Sequence, residues 1–370
     1  MKKVKRNILL TPGPATTTDT VKYAQVVPDV CPREQEFSVL LKKTRDSLVD
    51  IVAGRPDYAC VIFGGSGTAA VDAAINSTVP KGRKIAIIIN GAYGDRMLKI
   101  AKAYNIDAYP IKFNYGQKLD MADIEMQIRD NKDIASISVV HHETTTGILN
   151  DIGAIGRIAK KYKCNYIVDA ISSYAGIPIN VKEISVDYLV ATSNKCLQGM
   201  PGVSFVICRK KAIESISGFT PRSFYLDLYS QYAFLETEGQ TQFTPPVQTL
   251  YSLETAISEY LEEGGKERHG RYVENWEILR KGLLGLGFIL FHEENEESKL
   301  LITVYEPKGK WFNFNKLHDM LKLEGFTVYP GKVSKYKTFR IANIGNIFPR
   351  DIKNFLKSLS RIMKIMKESL

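Results

Sequence analysis

Residues 59–70 read ACVIFGGSGTAA, and this stretch decides the class of fold. Residues 59–63 are apolar and partly β-branched, which predicts a buried strand, and the small residues after them lead into a helical pattern. A glycine-rich turn between a strand and a helix exposes backbone N–H groups that favour an anion, most often a phosphate. The alternative is a plain strand-to-helix turn with Ser66 as N-cap, and this stretch alone leaves the two interpretations about equal.

The same alternation of strand and helix patterns continues along the chain as far as residue 208. Further apolar, β-branched runs lie at 85–89, 108–113, 134–140, 166–168 and 188–190, and helical patterns lie at 69–77, 95–104, 121–129 and 152–162. Near-continuous apolar strands between amphipathic helices predict a mostly parallel sheet covered on both faces. The run 203–208 follows the turn GMPG, which is too short for a crossover helix, so we expect this strand to be antiparallel to a neighbour.

After residue 244 the pattern changes to a smaller unit with fewer strands. Helical patterns at 246–261 and 270–284 lead to predicted strands at 300–305, 327–329 and 339–341 and to predicted helices at 314–323 and 351–366. We therefore predict an α/β fold in three parts: an N-terminal segment (1–20), a large α/β domain (21–260) and a small C-terminal α+β domain (261–370).

Composition and charge exclude several classes of protein. With 44% hydrophobic and 24% charged residues, the chain has the balance of a globular protein and not of a disordered one. The net charge is +10, but no basic run alternates with aromatic residues, so we do not expect nucleic-acid binding. No apolar run approaches the roughly 20 residues that span a bilayer, and the apolar stretch after the basic N-terminus is too short for a signal peptide. These features predict a cytoplasmic protein that does not bind membranes.

Several common catalytic and metal-binding signatures are missing. In GGSGT (64–68) Thr68 stands where a nucleophile elbow needs glycine, and Ala70 stands where the dinucleotide fingerprint needs its third glycine. The sequence contains no Walker A loop, no HExxH and no CxxC among its five cysteines. The adjacent His141 and His142 would point to opposite faces of a strand, so we expect no metal site. A hydrolase, a nicotinamide enzyme, a P-loop NTPase and a zincin are all disfavoured.

Two charged residues lie where ligands bind in α/β folds. Asp169 ends the predicted strand 166–168, where an unpaired carboxylate would be costly, and Lys195 follows the next strand. A strand-end Asp, a Lys one strand later and an upstream phosphate turn match what pyridoxal phosphate needs. The Lys bonds to the cofactor, the Asp keeps the pyridine nitrogen protonated, and the turn holds the phosphate.

The order of these segments resembles the class V aminotransferases, which have fold type I. The stretches that carry the resemblance are LLTPGP (9–14), GSGT (65–68), NGAYG (90–94), HETTTG (142–147), IVDAISS (167–173), NKCLQG (194–199), FTPP (243–246), YPGKVS (329–334) and FRIANIG (339–345). They keep the family's order along essentially the whole chain. The resemblance implies a transferase dependent on pyridoxal phosphate, with a mostly parallel sheet in the large domain.

The same resemblance implies roles for the residues already singled out. Lys195 would bond covalently to the cofactor and Asp169 would pair with its pyridine nitrogen, and these two would be the catalytic residues. Ser66, Gly67 and Thr68 would hold the phosphate.

The resemblance also adds five residues to the site. Tyr93 would stack on the ring of the cofactor, and Thr144 and Asn194 would contact the cofactor as well. Thr244 would reach the cofactor phosphate of a neighbouring subunit, so the working unit would be a homodimer. Arg340 would bind the anionic group of the substrate.

The activity that the resemblance implies is transfer of the amino group of 2-aminoethylphosphonate to pyruvate. The products would be phosphonoacetaldehyde and L-alanine, formed by a ping-pong mechanism. One alternative is a sister enzyme of the alanine–glyoxylate or serine–pyruvate type, because the segment DVCPREQEF (29–37) departs from the family pattern at some positions. Another is a non-catalytic protein whose basic surface binds an anionic polymer.

Overall fold

The computed structural model describes residues 4–331, 333 and 335–368. Positions 1–3 of the predicted N-terminal segment, two positions of the YPGKVS stretch (332 and 334) and positions 369–370 lie outside the described residues. The strands are β1 (Ile8–Leu10), β2 (Tyr58–Gly64), β3 (Lys84–Ile89), β4 (Ala108–Lys112), β5 (Ile134–Val140), β6 (His142–Glu143), β7 (Ile148–Leu149), β8 (Asn165–Asp169), β9 (Tyr188–Thr192), β10 (Val203–Arg209), β11 (Leu301–Tyr305), β12 (Phe326–Pro330) and β13 (Thr338–Ala342). The helices are α1 (Asp19–Tyr23), α2 (Gln35–Asp50), α3 (Gly67–Thr78), α4 (Ala92–Ala103), α5 (Met121–Asp130), α6 (Ile152–Lys161), α7 (Lys210–Ser215), α8 (Leu228–Glu238), α9 (Val247–Glu263), α10 (Gly265–Gly285), α11 (Phe314–Leu323) and α12 (Pro349–Glu368).

A seven-stranded sheet in the order β2-β10-β9-β8-β5-β3-β4 forms the centre of the larger unit. Six strands run in one direction, and β10 is antiparallel to both of its neighbours, as the short turn before it predicts. The carboxyl ends of β2, β3, β5, β8 and β9 therefore lie along one edge of the sheet. The α/β fold class predicted from the sequence is confirmed.

The strands of this sheet are apolar because both of their faces are covered. Residues 85–89 of β3 and all of β9 are buried, and α3 packs against β8, β9 and β10. Helix α6 shows the complementary pattern, with Ile155 and Ile158 buried and Lys160 and Lys161 exposed. Burial of such residues, at roughly 25 cal/mol per Å² of apolar surface, supplies the main driving force for folding.

A second, four-stranded sheet in the order β1-β12-β13-β11 forms the smaller unit. It shares a core with the last helices, in which Trp276, Phe339 and Phe355 are almost fully buried. Strand β1 is parallel to β12, so the N-terminal segment belongs to the same sheet as the C-terminal strands. The division at residues 20 and 260 stays a prediction.

Helix α10 differs from the prediction because it begins at Gly265 and not near residue 270. Its first turn is mostly polar and charged, so it carries no apolar periodicity that would reveal a helix. Gly264 separates α10 from α9, with a φ of 87°. In the part of the chain that the structure describes, no helix combines the length and apolar character of a membrane span.

Candidate active site

The glycine-rich turn lies between β2 and α3, at the edge where the parallel strands end. Ser66 occupies the N-cap position of α3, yet its side chain forms no capping hydrogen bond and is exposed. A Cβ atom on Gly67 would lie 2.7 Å from Cδ1 of Ile171, so the backbone is tightly packed at this point. Arg96 Nη1 donates a hydrogen bond to Thr68 Oγ1 at 3.2 Å. The turn thus combines a helix N-terminus, two hydroxyl groups and a nearby guanidinium, which together suit a phosphate.

Asp169 ends β8 and is buried, with 5% of its surface exposed. One carboxylate oxygen accepts a hydrogen bond from the backbone N–H of Ile171 at 2.9 Å. Burial raises the pKa of Asp169 to about 7, although the positive charges of Arg96 and Lys195 act to lower it. A buried carboxylate in this position is stabilised by a cationic hydrogen-bond donor.

Lys195 follows β9 and lies against the N-terminal loop. Its Nζ donates a hydrogen bond to the backbone oxygen of Pro12 at 2.5 Å. Glycine is required at position 13, where φ is +134° and a Cβ atom would lie 2.2 Å from Nζ. Burial lowers the pKa of Lys195, which favours the neutral, nucleophilic amine.

Asn194 lies beside Lys195 and joins the same two segments. Its carbonyl accepts a hydrogen bond from the backbone N–H of Ala15 at 2.9 Å, and its Oδ1 accepts one from Thr192 Oγ1 at 3.1 Å. The N-terminal stretch LLTPGP therefore forms one wall of the site. No role was predicted for Pro12, although the stretch that contains it carries the family resemblance.

Tyr93 lies in the first turn of α4, directly after β3. The Arg96 guanidinium lies 4.7 Å from the centroid of its ring. Glu143, the last residue of β6, accepts hydrogen bonds from the backbone N–H groups of Tyr93 and Gly94 at 3.0 and 3.3 Å. Arg96 and Glu143 were not among the predicted site residues. Glu143 belongs to the HETTTG stretch, and the family resemblance of that stretch is the sequence feature that could have pointed to it.

Thr144, in the turn between β6 and β7, meets Arg340, which lies in β13. Arg340 Nη1 donates to the backbone oxygen of Thr144 at 2.9 Å, and its Nε donates to that of Pro330 at 3.0 Å. Phe339 and Ile341 point into the apolar core, so Arg340 lies on the opposite face of β13, as predicted. The guanidinium is buried and its pKa is lowered by burial, and it forms no salt bridge within the described residues. Such a group suits an anionic ligand.

Thr244 lies in the loop before α9 and is exposed. No hydrogen bond among the described residues joins it to the site. It follows Phe243, whose ring lies 5.2 Å from that of Tyr225 and 5.6 Å from that of Phe224. Phe224 is 82% exposed, so this group forms an aromatic surface beside the turn after β2.

The paired histidines are buried and held by serine residues. His141 Nδ1 lies 2.9 Å from Ser173 Oγ, and His142 Nε2 lies 2.8 Å from Ser298 Oγ. Burial lowers the pKa of His141 to about 3 and that of His142 to about 4, so both rings are neutral at pH 7. Across the described ranges no three His, Cys, Asp or Glu residues are grouped to hold a metal ion.

Known proteins resemble this chain over almost its full length. Residues 17–344 match the family "Aminotransferase class-V". A Bacteroides fragilis (strain YCH46) protein named 2-aminoethylphosphonate–pyruvate transaminase is 37% identical over 370 residues, covering 99% of both chains. A Clostridioides difficile (strain 630) protein named bifunctional phosphonoacetaldehyde hydrolase/aminoethylphosphonate transaminase is 39% identical over 96% of this chain and 56% of its own. The crystal structure of ureidoglycine–glyoxylate aminotransferase from Bacillus subtilis superposes with a TM-score of 0.90 at 23% identity, covering 99% of this chain and 95% of that one.

Proposed function

This chain belongs to the class V aminotransferases, and from that membership we propose how its residues carry out amino-group transfer. It is an aminotransferase dependent on pyridoxal phosphate that moves the amino group of 2-aminoethylphosphonate to pyruvate, giving phosphonoacetaldehyde and L-alanine. The alternative with another amino donor is not favoured, because relatives that align over nearly the whole chain carry the aminoethylphosphonate name. The observation that carries the proposed mechanism is that Asp169 and Lys195, at the edge of the large sheet, lie close to Arg340 of the smaller sheet. None of the three forms a salt bridge among the described residues.

The residues present fit pyridoxal phosphate. The buried Thr144 Oγ1 has no hydrogen-bond partner among the described residues, so it is available to a polar group of the cofactor. The packed backbone at Gly67 and the free Ser66 side chain leave a helix N-terminus open to a phosphate. Asp169 has no cationic hydrogen-bond donor among the described residues, and the protonated pyridine nitrogen of the cofactor would be one.

Each residue then has a distinct task. When bound, pyridoxal phosphate supplies a ring that accepts the electrons left on the amino-bearing carbon of the substrate. Lys195 would hold the cofactor covalently. Once its amine is released, the neutral Nζ would take a proton from that carbon and deliver it to the cofactor. Asp169 holds the proton on the pyridine nitrogen. The 66–68 turn holds the phosphate, and Tyr93 packs on the face of the ring.

Arg340 binds the anionic end of both substrates. Its planar guanidinium matches a phosphonate in the first half-reaction and a carboxylate in the second, and the two occupy the site in turn. Because Nε and Nη1 are held by backbone oxygens, the side chain is fixed before the substrate arrives. A fixed cation binds an anion more tightly than a mobile one does, because its side chain loses less conformational freedom on binding.

We propose that the enzyme is a homodimer in which Thr244 reaches the cofactor phosphate of the partner subunit. Support comes from the aromatic surface formed by Phe224, Tyr225 and Phe243, which is exposed and lies next to Thr244. An exposed aromatic cluster of this kind is typical of protein–protein interfaces. The Tyr225 hydroxyl also lies 3.5 Å from the backbone oxygen of Gly64, so this surface adjoins the phosphate turn.

The test is the absorption spectrum of the purified protein with pyridoxal phosphate. We expect 2-aminoethylphosphonate alone to shift the cofactor band and pyruvate to restore it, with one L-alanine formed per cycle. L-Serine and L-alanine, supplied separately as donors with glyoxylate, test the sister activities. A protein that binds the cofactor and responds to either of these amino acids but not to 2-aminoethylphosphonate would overturn the assigned donor.

A further inference from the structure

Glu143 is a buried acid for which the reaction above has no use. None of its surface is exposed, and no salt bridge within the described residues neutralises it. Its Oε2 accepts from the backbone N–H groups of Tyr93 and Gly94, and its Oε1 accepts from the backbone N–H and Oγ1 of Thr145 at 3.0 and 2.5 Å. Four donors to one carboxylate offset much of the cost of burying its charge.

The first turn of α4 depends on this carboxylate. The N-cap residue is Gly91, which has no side chain to cap the helix. A Cβ atom at that position would lie 2.2 Å from Cδ of Glu143, so glycine leaves the space that Glu143 occupies. Thr145 Oγ1 in turn accepts from the backbone N–H of Ala92 at 2.9 Å. The first three N–H groups of α4 are therefore all bound by the 143–145 segment.

The 143–145 segment is itself held from the smaller unit. Arg340 donates to the backbone oxygen of Thr144, and the backbone N–H of Ser298 donates to that of Gly147 at 2.9 Å. Arg340 also interacts with the side chain of Tyr93. Glu143 thus stands between the residue proposed to stack on the cofactor and the residue proposed to bind the substrate anion.

We propose that Glu143 is a positioning residue that fixes Tyr93 over the cofactor ring by capping α4 from the loop that Arg340 holds. This inference rests on the proposed function, and it assigns Glu143 a role without contact to the substrate. A helix needs only a local Ser, Thr, Asp or Asn for capping. A buried carboxylate from a separate segment additionally fixes where the helix begins relative to that segment.

The first arm of the test uses the cofactor-free protein. In Glu143→Gln, the amide can accept on one side only, so the first turn of α4 should open more readily. We expect the backbone amides of residues 92–94 to exchange hydrogen at least about tenfold faster than in the wild type. The matched control is Asp120→Asn, because Asp120 caps α5 through Ala122 and Asp123 at 2.9 and 3.1 Å, far along the chain from α4. That variant should change exchange at α5 only.

The second arm is a double-mutant cycle on the dissociation constant of pyridoxal phosphate. If Glu143 acts through Tyr93, Glu143→Gln should weaken cofactor binding by about tenfold in the wild type and by less than about threefold in a Tyr93→Ala background. Equal factors in both backgrounds would mean that Glu143 only stabilises the fold, and the inference would be wrong. Glu143→Asp keeps the charge and should recover part of the affinity.

Folding and function are checked separately. If Glu143→Gln does not fold, Thr145→Val replaces it in the same double-mutant cycle. Thr145→Val removes one donor to Glu143 and the acceptor for the Ala92 N–H, so we expect a smaller loss of cofactor affinity. Wild-type cofactor binding and turnover are measured first. A wild type that neither binds the cofactor nor turns over overturns the proposed function. In a working enzyme, an equal loss of cofactor affinity on Glu143→Gln in both backgrounds overturns this inference alone.

Discussion

Single residues set the chemistry of this site through buried charge. Asp169, Lys195 and Arg340 are each shifted by burial toward their neutral forms, because the pKa of the acid rises and those of the two bases fall. Such groups destabilise the protein until ligands of opposite charge bind. Removing one of them should therefore impair binding or chemistry much more than it impairs folding.

Replacement of Lys195 tests the covalent anchor. Lys195→Ala should bind pyridoxal phosphate without a bond that borohydride reduction can trap, and it should keep a thermal midpoint close to that of the wild type. The physical reason is that Nζ contacts a backbone oxygen and not the apolar core. Mass spectrometry after reduction measures the bond. A variant with full transaminase activity would contradict the assigned role.

Asp169 should make the stability of the cofactor-free protein depend on pH. Its pKa is about 7 in the folded chain and about 3.8 when unfolded, so its proton stabilises the fold. That contribution is complete below pH 4 and is lost as pH rises through 7, by about 4 kcal/mol at most. Urea unfolding of the wild type and of Asp169→Asn, compared between pH 4 and 8, isolates it. A difference that does not change with pH would rule out the raised pKa.

Arg340 should serve both half-reactions. Arg340→Lys keeps the charge but loses the planar fork, and Arg340→Ala loses both. Each variant should slow the aminophosphonate and the pyruvate half-reactions, and Arg340→Ala should slow them more than Arg340→Lys. The expected loss is about 2–5 kcal/mol of transition-state binding for each substrate. Single-turnover measurements follow each half separately, with cofactor content as the control. If one half-reaction is spared, a single anion site is the wrong description.

The sequence offers local signals for some residues of the candidate site and none for others. Asp169 and Lys195 could be picked out because Asp169 ends an apolar strand and Lys195 comes shortly after the next one, and both are local signals. Glu143 could not, because the helix start that it caps lies fifty residues earlier and Gly91 gives no sign of an external cap. Pro12 was missed for a similar reason, since only its backbone oxygen contacts Lys195.

Among the elements, the turn from β2 to α3 has the tightest packing near the proposed phosphate site. Gly67→Ala places a Cβ atom against the Ile171 side chain, so either that side chain or the turn must shift to accommodate it. We expect cofactor affinity to fall by about tenfold, since a shift of about 1 Å in a binding turn has effects of this order. Gly270→Ala is the control, because nothing lies within 4 Å of its added Cβ atom. Equilibrium dialysis compares the two, and unchanged affinity in Gly67→Ala would remove the turn from the phosphate site.

The elements were predicted best where burial imposes a period on the sequence. The antiparallel β10 followed from the length of one turn, and α11 was predicted with its observed bounds. The start of α10 was missed because its first turn is polar although Arg268 there is buried, in an ion pair with Glu263 at 2.6 Å. A helical turn that is stabilised by an ion pair has no apolar periodicity, so hydrophobic patterns do not predict it.

At the scale of the whole molecule, the proposed dimer should link assembly to cofactor binding. Phe224→Asp places a charge on the aromatic surface and should produce monomers that lose pyridoxal phosphate, because assembly and binding would share contacts. Thr244→Ala should weaken cofactor binding while the dimer persists. Sedimentation velocity with cofactor absorbance follows both properties. Leu323→Asp, at an 88% exposed apolar residue of α11, is the matched control. A monomer that holds the cofactor as tightly as the dimer would exclude the shared contact.

The overall architecture followed from the sequence, but the meeting of its two sheets at the site did not. Patterns of apolar residues predict which segments form strands and helices, and the rules of parallel sheets predict which ends share an edge. The contact of Arg340 with Thr144 joins two independently patterned units, and no local period encodes it. Only the family resemblance placed Arg340 in the site.

The parallel pairing of β1 with β12 has a consequence for how the enzyme is made. Ile8 is synthesised well before its partner Phe326, which lies far along the chain. Until then the wall that Pro12 contributes beside Lys195 has no sheet to hold it in place. A nascent chain can therefore complete its large sheet while Lys195 is still uncovered. Strands β12 and β13 complete the smaller sheet after the strands of the large one, so a chain that stops before them would carry Asp169 and Lys195 without the wall that covers Lys195.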